Sequence, residues 1–318
     1  MRKYWLGYGL AAAMLALTAA PAAAEWPNDK PIKFIIPYSP GGGFDTIVRN
    51  FAPAIEKILG AEVVPENIPG AGGTKGAATV ARAEPDGYTI GIFNIPGFTV
   101  NQVIGKDMGF DLGEITWIAN LATSRYGIAV KTDSPIQSFK DLCSLGREAK
   151  MSDTGASSTS SLAAKVSFSM IDCPLINVTG YKGSNDAMIA VMRGEVDATL
   201  KPISSLKKYV DSGDLRMIVT YTDKPVLDGV ASTGEMGQKD LAQFNVLRVI
   251  GAPPGLPADI QKRLSDAFIE AGKSPEVIER AGAAAEEFDL LGADDTSKMM
   301  ADLATFYAQY KAMLTAEE

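Results

Sequence analysis

The sequence predicts an α/β protein of more than one domain. Three observations carry that reading. Its 318 residues exceed what one hydrophobic core organises, because single cores stop growing at roughly 250–300 residues. Its first hundred residues alternate short apolar runs with helical patterns, the signature of a parallel sheet. Two glycine-rich loops stand where strands hand over to helices.

The first loop belongs to the stretch IIPYSPGGGFD, Ile35 to Asp45. Phe34, Ile35 and Ile36 read as a buried strand, which Pro37 and Pro40 stop. Gly41, Gly42 and Gly43 follow, then Phe44 and Asp45. A helix then places Ile47, Val48, Phe51, Ala54, Ile55 and Ile58 on one side. A glycine loop opening a helix can aim backbone N–H groups at one spot near the positive end of the helix dipole, which makes an anion site. Three glycines alone are equally consistent with a tight turn. The second loop, Pro69-Gly70-Ala71-Gly72-Gly73, tips the balance towards the anion site.

Taken in order, the first helix runs to about Leu59, with Gly60 as its C-cap. Ala61 to Asn67 is a short strand. Gly76 to Ala83 is a helix, Pro85-Asp86-Gly87 a turn and Tyr88 to Phe93 a strand. Asn94 follows at that strand's carboxyl end, where ligands of open α/β sheets sit. The apolar runs Trp117 to Leu121 and Tyr126 to Val130 place a crossing into a second domain near residue 122. There, Ala156 to Ser161, with Ser157, Ser158 and Thr159, leads into a helix over 162–171. One hydroxyl is enough for an N-cap, so the run is expected both to cap and to aim donors at an anion. Residues 196–201 form a strand, and Leu215 to Tyr221 returns to the first domain. The expected organisation is 25–122 with 224–318 as one domain and 123–223 as the other. A final helix over 297–314 places Met300, Leu303, Phe306, Tyr307 and Tyr310 in the core.

Composition narrows the function. The net charge of −8 disfavours nucleic acid, which needs clustered Lys and Arg. There is no histidine, so no Ser-His-Asp or Cys-His site is available and the commonest metal ligand is missing. Neither glycine loop carries a nucleotide signature, and no cofactor or metal is expected. Arg2 and Lys3, the apolar Leu10 to Ala20 and Ala22-Ala23-Ala24 read as a signal peptide over 1–24, cleaved before Glu25; a membrane anchor is the alternative. Export makes a disulfide between the only two cysteines, Cys143 and Cys173, the expectation, with two buried thiols as the alternative.

With these residues in view, the chain resembles the solute-binding receptors of the tripartite tricarboxylate transporters, also called the Bordetella uptake (Bug) family. The likeness rests on Trp26-Pro27, Lys30-Pro31-Ile32, Pro37-x-x-Pro40-Gly41-Gly42-Gly43-x-Asp45 and Glu66-Asn67-x-Pro69-Gly70-Ala71-Gly72-Gly73. Pro85-Asp86-Gly87-Tyr88-Thr89, Tyr181-Lys182-Gly183, Gly194-Glu195-Val196-Asp197 and Ala252-Pro253-x-Gly255-x-Pro257 complete it. It implies a type II-like periplasmic binding protein, a monomer of two α/β lobes closing on a small carboxylate. The partners implied are a small and a large membrane permease subunit. It also implies that the backbones of 40–43 and 70–73 pinch one carboxylate, that Asp45 borders the ligand and that Ser158 faces the cleft. As an N-cap, Asp45 has a purely structural alternative.

Two departures stand out. Phe44 replaces a small or polar residue and is expected to narrow the pocket or stack on the ligand. Lys201 replaces an acidic residue. It is expected either to pair with a second carboxylate, implying a dicarboxylate, or to point to solvent. An exported sensory adaptor with the same cleft and an exported enzyme are the competing functions.

Overall fold

The structure, a computed structural model, describes residues 26–27, 30–156, 158–283, 287–308, 311 and 315. The expected signal segment 1–24, Ser157 and Tyr310 lie outside the described residues. In chain order the elements are β1 (Ile32–Ile36), α1 (Gly43–Leu59), β2 (Val63–Asn67), α2 (Thr74–Ala81), β3 (Thr89–Ile95) and α3 (Gly97–Val103). Then come β4 (Thr116–Lys131), α4 (Phe139–Cys143), β5 (Ala149–Ser152), α5 (Thr159–Met170), β6 (Leu175–Val178), α6 (Ser184–Met192), β7 (Ala198–Pro202), α7 (Ile203–Asp211) and β8 (Leu215–Thr220). β9 (Asn245–Ala252), α8 (Ala258–Gly272), α9 (Pro275–Ala283), β10 (Glu287–Leu291) and α10 (Ala293–Ala308) complete the series.

The strands follow the order β2-β1-β3-β9-β4-β7-β5-β6, with β8 and β10 also pairing with β4. β1 pairs in parallel with β2 and β3, as the alternation requires, whereas β9 runs antiparallel to both β3 and β4. β4 is the spine. Its Thr116–Arg125 half pairs with β9 in lobe one, and from Tyr126 onward it pairs with β7 and β8 in lobe two. Two apolar runs separated by Ala122-Thr123-Ser124-Arg125 thus form one strand. Backbone pairing with β9 holds the polar residues extended where local sequence suggests a break.

Periodicity placed the cores. α1 buries Ile47, Val48, Phe51 and Ile55, and ends as expected with Gly60 in the left-handed region at φ 71°, donating to Glu56 O. Phe34 and Phe268 pack edge to face across lobe one, and Phe93 meets Phe98 and Trp117 on the other face of the sheet. Lobe two buries Met188, Val191, Leu206 and Met217. The disulfide Cys143–Cys173 forms across a separation of 30 residues, tying α4 to the segment after α5. Closing a loop of that size contributes about 3–4 kcal/mol by restricting the unfolded chain. The last helix departs from expectation: Met300 is buried, but Phe306 is 49% exposed because α10 meets lobe one along a narrower stripe than its apolar residues suggest.

Candidate functional site

The first glycine loop is held on both sides by protein. Gly42 occupies the N-cap of α1 without a side-chain cap, so Asp45 is not the N-cap but a first-turn residue. Its carboxylate reaches back to accept from Gly41 N–H at 2.9 Å and also accepts from Arg49 Nε at 2.8 Å and Asn67 Nδ2 at 3.0 Å. That clasp fixes the loop to α1 and β2. From lobe two, Lys208 Nζ donates to Gly41 O at 2.8 Å and to Asn185 Oδ1 at 3.2 Å. Burial lowers the affinity of the Lys208 ammonium for its proton, and Asp45 nearby raises it; the first effect wins. Ser39 N–H donates to Lys182 O at 3.2 Å, and Ser39 Oγ to Asp186 at 3.1 Å. Gly43 has no room for a side chain: a Cβ there would lie 2.5 Å from Ser205 Oγ and 2.8 Å from Arg248 Nη2. Pro40 is exposed. The 40–43 backbone therefore faces helices α6 and α7 of lobe two.

The second glycine loop faces a hollow. Pro69 leads into it, and Gly70, Ala71, Gly72 and Gly73 all take positive φ (141°, 49°, 65° and 101°), which winds the backbone into a tight ledge. A cavity of about 420 Å³ opens between this ledge and lobe two, where residues 154–156 and 179–182 form the facing wall. The two lobes meet almost backbone to backbone there, since a Cβ on Gly155 would come within 3.0 Å of Gly72 Cα. Tyr38 is the one residue beside the first loop that reaches the hollow. Its hydroxyl donates to Gly72 O at 2.9 Å and accepts from Asn94 Nδ2, while Asn94 Oδ1 accepts from Thr159 Oγ1 at 2.8 Å. Asn94 and Thr159 thereby bridge the lobes. Burial pushes the Tyr38 phenol well above its ordinary range, so it serves as a neutral donor.

Behind the hollow lies a buried polar cluster bonded largely within itself. Lys201, on β7, points neither to solvent nor to an open site. Its side chain is 1% exposed, and its ammonium sits 2.9 Å from Asp153 and 3.1 Å from Ser160 Oγ. Asp153 also accepts from the Ser158 hydroxyl and from Thr154 N–H. Ser158 is the N-cap of α5, accepting from Ser161 N–H at 3.2 Å. Ser161 Oγ in turn accepts from Asn177 Nδ2 at 2.8 Å. The expected array of hydroxyls is drawn into contacts with protein: Ser158 donates to Asp153 and Thr159 to Asn94, while Ser160 accepts from Lys201 and Ser161 from Asn177. Phe44 is equally occupied. Its ring lies 4.9 Å from that of Tyr38, and the Arg248 guanidinium stacks over it at 4.1 Å.

Sequence reading missed Tyr38, Asp153 and Arg248. Tyr38 sits inside the motif that drew attention, between Pro37 and the first glycine loop, and a phenol at the carboxyl end of a buried strand was the available signal. Asp153 precedes the hydroxyl run. Arg248, in the apolar strand VLRVIGA, is fully buried, and a lone arginine in a core strand is itself a signal. Among the described residues, no group of three or more His, Cys, Asp or Glu is placed to hold a metal ion, and no helix is long and apolar enough to cross a membrane.

Comparison with known proteins bears on this geometry. A UPF0065 protein of Agrobacterium vitis is 28% identical over 318 residues, covering 95% of this chain and 87% of the relative. The periplasmic binding protein BugD superposes with a TM-score of 0.83 at 23% identity, over 90% of this chain and 98% of that one. R. palustris Rpa4515, solved with adipate, superposes with a TM-score of 0.82 at 22% identity, over 92% and 99%. These likenesses establish the two-lobed α/β binding-protein fold. The model of the tripartite tricarboxylate transporter family receptor matches residues 47–309, and the chain belongs to that family.

Proposed function

We propose that this receptor captures a small organic carboxylate, a dicarboxylate in particular, in the periplasm and delivers it to a membrane permease of one small and one large subunit. The observation that carries the reading is the hollow between the lobes, with a glycine ledge as one wall and lobe two as the other. Backbone so exposed accepts a carboxylate without any fixed cation, since amide dipoles and a nearby helix start favour negative charge. The ligand then touches both lobes and favours their closed arrangement over an open one, which is the differential affinity closure requires. Membership of a receptor family, and the adipate held by a fold neighbour, support the same class of ligand. The polar groups that would serve an enzyme are engaged elsewhere: Ser160 and Lys201 lie within hydrogen-bond distance, but Asp153 pairs with the lysine.

Thermal melting and calorimetry of residues 25–318 with succinate, glutarate, adipate and malate test this. A ligand at about 100 times its Kd adds about 2.7 kcal/mol of stability. Binding of a carboxylate, with the acid recovered unchanged by NMR, is the expected outcome. Failure of every acid to bind, or chemical turnover of one, overturns the reading. Co-purification with the two permease subunits tests delivery.

A further inference from the structure

The motif Tyr181-Lys182-Gly183 lies between β6 and α6, and the ledge and the buried cluster leave it unexplained. The Lys182 carbonyl accepts from Ser39 N–H of lobe one at 3.2 Å. Gly183 must lack a side chain for that contact, because a Cβ would lie 2.2 Å from Ser39 Oγ and 3.0 Å from Ser39 N. The lobes therefore meet on the Lys182–Gly183 backbone. Lys182 is exposed and also lines the hollow from the side of lobe two, opposite the 70–73 ledge. No described ion pair engages its ammonium. The other charged residues lining the hollow, Lys106 and Asp107, lie after α3 in lobe one and are of opposite sign, so the charge that lobe two adds is that of Lys182.

We propose that Lys182 is the residue that reads a second anionic group on the ligand, one carboxylate resting on the Gly70–Gly73 ledge and the other meeting the Lys182 ammonium. The role expected for Lys201 thus passes to a lysine nineteen positions earlier, since Lys201 is already neutralised by Asp153. Docking of Ser39 fixes the Lys182 backbone, so closure itself delivers the cation to the hollow. A diacid therefore gains a contact available only in the closed arrangement, and a monoacid does not. This inference rests on the carboxylate-receptor reading.

The test uses calorimetry on residues 25–318 with matched probes: succinate, glutarate and adipate against butanoate, pentanoate and hexanoate. Lys182 is exposed and Lys182→Met leaves its carbonyl in place, so folding and docking are preserved; a melting curve checks this. Losing a charge-assisted contact is expected to raise the Kd of the preferred diacid about tenfold and that of its monoacid less than twofold. Lys182→Arg is expected to restore most of the diacid affinity. Gly183→Ala, which opposes docking of Ser39, is expected to weaken diacid and monoacid by a common factor. An unchanged diacid Kd in Lys182→Met, or equal losses for both acids, overturns the inference while leaving the receptor reading intact. Absence of carboxylate binding by the unaltered protein overturns the receptor reading itself, and the inference with it.

Discussion

The two glycine loops look alike in sequence and do opposite things. The loop after β1 is consumed by protein: Asp45 clasps it from below, and Ser39 and Gly41 are held by α6 and α7 of the other lobe. The loop after β2 is left as a ledge beside a hollow. Glycine serves both loops in the same two ways but in different proportion. In the first, Gly43 clears space for Ser205 and Arg248 and Gly41 alone takes positive φ; in the second, positive φ runs through the whole ledge and Gly73 makes room for Tyr38. The same division runs deeper. The first loop and the Asp153–Lys201 cluster form a saturated half of the cleft, which is expected to answer to substitution in stability. The ledge forms an open half, which is expected to answer in affinity.

The sharpest way to break that division is Lys201→Met. It removes one partner of a buried pair and leaves Asp153 charged and under-compensated, so a loss of about 3–5 kcal/mol is expected in urea unfolding. Were Lys201 a ligand contact on the open side, stability would hold and diacid affinity alone would fall.

A smaller effect, on the other side of the division, is expected from Gly72→Ala. The nearest atom to the added Cβ is Gly155 Cα at 3.9 Å, so the cost to the fold is the positive φ alone, about 1–2 kcal/mol. Carboxylate affinity measured by calorimetry is expected to fall more steeply, because the methyl group intrudes on the ledge that lines the hollow opposite Gly155. A variant that binds normally would remove the ledge from the site.

The smallest effect sharpens the comparison from outside the cleft. Asp197 receives Arg147 through two bonds of 2.7 Å and the N–H of Lys150 at 2.9 Å. Desolvation raises its pKa, but the bonds from Arg147 and Lys150 outweigh it and hold the carboxyl below its ordinary value. The folded pKa is thus depressed. The stability it contributes is complete above the unfolded pKa near 3.8 and is lost as pH falls through the folded value. Asp197→Asn is expected to cost about 1 kcal/mol at neutral pH, shrinking towards nothing in acid, with ligand affinity unchanged. An affinity change would show that the lobe-two scaffold, and not only the cleft, sets binding.

Much of the fold was legible. α1 and its Gly60 cap follow from an apolar face with period 3.6 and one glycine past its end, both local signals. β4 was not, because Ala122 to Arg125 are polar or small and their pairing with β9 and β10 makes them strand. Of the residues singled out in the sequence, the structure brings 70–73 to the hollow and links Asn94 to Thr159 across the lobes. Whether each faces a ligand or a neighbour was not readable, since that depends on what the other lobe brings. Lys201 is the clearest case, its partner Asp153 lying far away in sequence on the other side of α5 and α6.

The amino-acid sequence by itself determined the order of strands and helices, the glycines at their junctions and the family to which the chain belongs. These follow from local propensity, spacing and side-chain chemistry, all carried within a few dozen residues. Tertiary structure decided which glycine loop lines the hollow, which lysine is neutralised by a buried carboxylate and which lines the hollow instead. Those outcomes depend on two lobes meeting across one shared strand, and a charge or a backbone amide is available to a solute only if no other part of the protein has reached it first.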